Sequence, residues 1–108
     1  MKDISPELLK TIKREFEDSF ANNEHIRELY NIIQQGKATY KEVNEFAIET
    51  GEILAKVFSS VLSEDVLPDG KMYYNIAKAV IDPMMKGNYD LVTEVAGIVQ
   101  KNLNDSAN

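Results

Sequence analysis

The chain has 108 residues, 44% of them hydrophobic and 28% charged, a balance that suits one folded domain spanning 1–108 and is too apolar for a disordered chain. It contains no cysteine, which excludes disulfides, thiolate metal sites and cysteine nucleophiles. Twelve basic residues face 18 acidic ones for a net charge of −6, and the deficit runs through the whole chain, so no basic stripe of the kind that displaces counterions from nucleic acid is expected.

In chain order, Ser5-Pro6-Glu7 is a helix start: the serine hydroxyl accepts an orphan amide, and proline in the first turn loses nothing by lacking its own. A first helix is predicted to about Phe20, with Leu8, Leu9, Ile12, Phe16 and Phe20 on one face. Asn22 and Asn23 interrupt it and cap a second helix carrying Ile26, Leu29, Tyr30 and Ile33, which Gly36 is placed to end in a left-handed conformation. Thr39 and Glu42 form a T-x-x-E capping box, opening a long third helix from Tyr40 to about Glu64. Its apolar residues, among them Val43, Phe46, Ala47, Leu54, Val57, Phe58 and Leu62, occupy about half the circumference, which predicts a central helix with neighbours on two sides.

Leu67-Pro68-Asp69-Gly70 is a tight-turn signature. A fourth helix follows, with Met72, Ile76, Ala79 and Val80 on one stripe, and is expected to stop or kink near Asp82 because Pro83 removes an amide and clashes with the preceding turn. Gly87 and Asn88 separate it from a fifth helix carrying Leu91, Val92, Val95, Ile98, Val99 and Leu103, with a frayed polar tail from Asn104. The expected fold is all-α, a compact bundle of four or five mostly antiparallel helices around the helix at 40–64. No apolar run approaches the roughly 20 residues of a membrane span, and the start Met1-Lys2-Asp3 lacks a signal-peptide core, so a cytoplasmic protein is expected.

The residues predict no catalytic, cofactor or metal site and no small-molecule substrate. Asp65, Asp69 and Gly70 fall in calcium-loop positions, but Leu67 and Ile76 occupy places that need ligands. The five glycines make no phosphate loop. His25, the single histidine, has no partner nearby in sequence, and the helix N-terminus on which it sits disfavours its protonation, so it reads as a surface or boundary residue.

Two surfaces remain as candidates for protein contacts. Glu42, Glu45, Glu49 and Glu52 line one stripe of the third helix, either a solvated face relieved by Lys41 and Lys56 or a dock for a basic partner. On the fourth helix Tyr74 and Ile81 form a second apolar stripe, extended by Met84 and Met85 and joined by Ile48 of the third helix; it is either covered by a second neighbour or an oligomer or partner interface.

The run Val66-Leu67-Pro68-Asp69-Gly70-Lys71-Met72-Tyr73-Tyr74-Asn75-Ile76-Ala77, with Asn88-Tyr89-Asp90-Leu91-Val92 and Val99-Gln100-Lys101-Asn102-Leu103-Asn104, resembles a family of uncharacterised phage and prophage proteins of Gram-positive bacteria. These are encoded near virion head and morphogenesis genes. The resemblance is concentrated in residues 66–104 and implies a non-enzymatic structural or assembly role through protein association, self-association included, in the host cytoplasm and in virions. It also implies a longer protein of which this chain is the N-terminal part. It assigns no functional residues. A small acidic regulatory adaptor that binds a host protein through the glutamate stripe is the alternative.

Overall fold

Among the described residues of a computed structural model, five helices form the architecture: α1 (Pro6–Ala21), α2 (Glu24–Gln34), α3 (Tyr40–Leu62), α4 (Gly70–Met85) and α5 (Leu91–Ser106). The structure describes residues 3–63, 70–87 and 90–106, without the side chains of residues 70–74, 85 and 106. The tight turn expected at Leu67–Gly70 lies almost wholly outside the described residues, as do Asp65 and Leu67 of the rejected calcium loop.

Local chemistry sets the helix ends. The Ser5 hydroxyl accepts from the Leu8 amide at 3.1 Å and Pro6 opens α1. Asn23, the second of the two asparagines, caps α2 by accepting from the Ile26 amide at 3.0 Å. At the other end of α2, the Lys37 amide bonds to the Ile32 carbonyl and the Gly36 amide to the Ile33 carbonyl, the paired bonds of a Schellman ending. That geometry requires the left-handed Gly36, whose φ is +72°. The capping box is complete: the Glu42 amide donates to the Thr39 hydroxyl, and the Glu42 carboxylate accepts from the Thr39 amide.

α3 is the hub. Nine of its 23 residues are buried, against one of 16 in α1 and two of 11 in α2, so α3 is the element the others are built on. It packs against α1, α2 and α4, while α5 closes the bundle between α4 and α1. Helices α1, α3, α4 and α5 thus form a four-helix ring, and α2 lies along its α1–α3 edge. Phe46, Leu54, Phe58 and Leu62 of α3 meet Ile12, Ile26, Ile76, Val80, Val95 and Val99 in one continuous core. α4 comes closest at Gly51, where an added Cβ would stand 3.5 Å from the Ile76 Cγ2 and 3.8 Å from the Ala77 Cα. A methyl fits there at ordinary contact distance and a larger side chain does not.

Two expectations from the sequence are corrected. Of the two outcomes expected near Asp82, a stop or a kink, the stop does not occur: α4 continues through Pro83 to Met85. The proline sits in the last turn, where it sacrifices one hydrogen bond, and the turn is retained because Met84 is buried in the core and the Lys86 and Gly87 amides bond to the Pro83 and Met84 carbonyls. α5 likewise runs on to Ser106 instead of fraying at Asn104. Its start is held by Asp90, whose carboxylate accepts from the Thr93 amide at 3.3 Å and from the Thr93 hydroxyl at 2.9 Å.

The ends of the described chain are tied together by Gln100 of α5. Its amide oxygen accepts from the Ile4 amide at 2.7 Å, and its nitrogen reaches Asp3 at 3.4 Å. Gln100→Ala is expected to strand the Ile4 amide and cost about 1 kcal/mol, measured by urea unfolding. Thr50 offers the opposite case: it is fully buried in α3 and its hydroxyl has no hydrogen-bond partner. Thr50→Val keeps the shape and removes the orphan, so it is expected to raise stability by about 1 kcal/mol; a loss of stability in the same assay would show that the hydroxyl is satisfied.

Candidate functional site: a histidine-carboxylate cluster and an apolar groove

Two places on α3 gather side chains whose chemistry reaches beyond packing. One is polar. Glu45 and Glu49 stand one turn apart, and each is followed in sequence by a buried residue, Phe46 and Thr50. His25 lies in the first turn of α2, next to the fully buried Ile26. Packing of α2 on α3 brings the His25 Nε2 to 2.9 Å from the Glu45 Oε1 and 3.6 Å from the Glu49 Oε2. The side chains of His25, Glu45 and Glu49 are half-exposed, yet the Glu49 Oε2 itself has less than 1 Å² of accessible surface and no hydrogen-bond partner.

The hydrogen bond to Glu45 and the charge of Glu49 hold the imidazole pKa above its ordinary 6.5; desolvation opposes them, and weaker Coulomb attraction to Glu45 and Glu28 adds to the rise. This reverses the sequence-based expectation, in which the positive end of α2 disfavours protonation. The helix end acts as a partial charge, whereas two full carboxylate charges from the neighbouring helix lie within 4 Å of the ring nitrogen. No local pattern around His25 could show this, because its partners are 20 and 24 positions away.

The glutamate stripe is therefore not uniform. Glu42 is committed to the capping box, Glu45 and Glu49 to His25, and Glu52 is exposed one turn further along. Repulsion along the stripe is relieved by His25 as well as by solvent.

The second place is apolar. The exposed large hydrophobics among the described residues are Tyr40 and Ile48, at 84% and 45% exposure, and both lie on the α3 stripe that also carries Asn44. Tyr40, Val43 and Asn44 line a groove of about 350 Å³ with Ile33 of α2 and with Ile81 and Met84 of α4. The groove follows from unequal helix lengths. Gly51 lies opposite Ile76 and Ala77, and Asn44 lies near Ile81 and Met84, so the two helices run antiparallel and α4 ends before it covers the first turn of α3.

The second apolar stripe predicted on α4 is thus partly realised. Ile81 is half-buried at the groove and packs against the core. Met84 is corrected: it is 6% exposed and belongs to the core, forming part of the groove wall and not a protruding contact, because the turn beyond Pro83 folds it inward. The side chains of Tyr74 and Met85 lie outside those described. Tyr40, the most exposed large hydrophobic among the described residues, was missed as a contact residue because the first helical position reads as a helix start and not as a surface. A smaller concavity is lined by the aromatic cluster of Phe16, Phe20, Tyr30 and Phe46, whose ring centroids lie 5.5–6.2 Å apart.

Among the described residues, no helix is long and apolar enough to cross a membrane. Family models, characterised proteins and solved structures were all compared with the chain, and none matches.

The raised His25 pKa sets a pH dependence. Attraction to Glu45 and Glu49 stabilises the fold fully below the unfolded value of 6.5 and is lost as pH rises through the higher folded value. On moving from about pH 8 to about pH 6, the wild-type protein is expected to gain melting temperature relative to His25→Ala. Parallel melting temperatures for the two proteins across that interval would refute the pairing.

Proposed function

We propose that the protein is a non-enzymatic phage structural or assembly component that works by protein association, with the groove between α3 and α4 as its contact surface. The observation that carries this reading is the pair of exposed large hydrophobics on one stripe of α3, Tyr40 and Ile48, the first of which lines the groove together with Ile81. Exposed aromatic and branched aliphatic side chains around a concave apolar wall are the composition of an interface core, and Asn44 adds a polar group to the groove lining. The phage context rests on the resemblance carried by residues 66–104.

A second copy of the chain is the simplest occupant, and it makes the protein a homo-oligomer that builds or supports a particle. The adaptor reading, with Glu42, Glu45, Glu49 and Glu52 docking a basic host protein, is weaker because three of those carboxylates already hold contacts within the chain.

Sedimentation over a range of concentrations tests the reading. The wild-type chain is expected to self-associate, and Ile48→Asp and Tyr40→Asp are each expected to weaken association by about 2 kcal/mol, roughly 30-fold, while leaving the helical circular-dichroism signal intact. In infected or induced cells the wild-type protein is expected in particle fractions and the variants are not. A chain that stays monomeric at every concentration and absent from particles would overturn the proposal.

A further inference from the structure

The geometry points to a binding site for one divalent first-row transition cation of the zinc class, formed by the His25 Nε2, the Glu45 Oε1 and the Glu49 Oε2, that clamps α2 to α3. This is independent of the groove and of the reading built on it.

The three atoms lie within 4.8 Å of one another. Ligands bound to a single zinc-sized ion at about 2.0–2.2 Å stand about 2.9–3.6 Å apart, depending on coordination angle. The two edges that meet at His25 measure 2.9 and 3.6 Å, within that interval, and the third is no longer than 4.8 Å. The arrangement also has a rigid base. Glu45 and Glu49 are an i, i+4 pair on the central helix, and His25 is fixed through its neighbour Ile26, which is fully buried. Metal sites in helical bundles likewise draw their ligands from facing, packed helices, and here the ligands sit at the half-exposed edge of the α2–α3 contact.

The Glu49 Oε2 bears on the choice of ligand: the atom itself has less than 1 Å² of accessible surface and no hydrogen-bond partner, while the side chain is 36% exposed and paired with His25 at 3.6 Å. An anionic oxygen with no accessible surface and no hydrogen-bond donor is costly to keep, and the nearest positive group is an imidazole at 3.6 Å, too far for a hydrogen bond. A metal ion between the three ligands satisfies that oxygen directly. One imidazole nitrogen with two carboxylate oxygens favours zinc-class ions over Ca2+ or Mg2+, which prefer oxygen alone. The half-exposed flank leaves the remaining coordination positions to water.

Titration of Zn2+ into the full, metal-free chain near neutral pH, followed by calorimetry and by thermal unfolding, tests the site. One equivalent is expected to bind and to raise the melting temperature. His25→Ala and Glu49→Gln are each expected to weaken binding at least about tenfold, with Glu15→Gln on α1 unchanged. Affinity is expected to fall as pH drops and protonation occupies the His25 Nε2. The assignment is overturned by the lack of saturable binding at millimolar Zn2+, by binding that survives His25→Ala, or by equally tight binding of Ca2+, which would mark a general carboxylate field.

Discussion

The structure depends on burying α3 on several sides at once. A helix that touches one neighbour needs an apolar stripe about 100° wide. α3 carries roughly twice that, and no single partner can cover it. Phe46, Leu54, Phe58 and Leu62 lose essentially all contact with water only because α1, α2 and α4 arrive from different directions. With few fully buried residues of their own, α1 and α2 cannot hold a fold without α3, so the hub and its satellites must form together.

The same constraint creates both candidate sites. Anchoring α2 through Ile26 and Leu29 places its first turn beside the polar side of α3, so His25 meets two carboxylates that the long helix presents one turn apart. Anchoring α4 at Gly51 and letting it end at Met85 leaves the first turn of α3 uncovered, which exposes Tyr40 and opens the groove. Neither feature belongs to one helix; each is made by the offset between two.

The sites differ in how they use the surface. The groove is a pre-formed apolar concavity, suited to excluding water against another protein. The cluster is small, charged and half-exposed, suited to a proton or a metal ion, and its effect is to fasten the N-terminal hairpin to the central helix. The proposed protein association and the proposed helix clamp are compatible in one molecule, since the first would draw on Tyr40, Ile48 and Ile81 and the second on His25, Glu45 and Glu49.

What the sequence determined by itself is the set of helices and most of their ends. Ser5, Asn23, Thr39 with Glu42, and Gly36 act on backbone groups within five residues, and the three-to-four spacing of apolar side chains assigns each core face, so local chemistry is enough for both. The all-α class and the central position of the helix from Tyr40 follow from that pattern alone. Only the tertiary structure decided the rest: that α4 survives Pro83 because Met84 has a core to enter, that Gln100 reaches Ile4 across 96 positions, and that His25 is charged more readily rather than less. In each case the deciding energy comes from a group distant in sequence, and periodicity says which face of a helix is covered but not which neighbour covers it or where that neighbour stops.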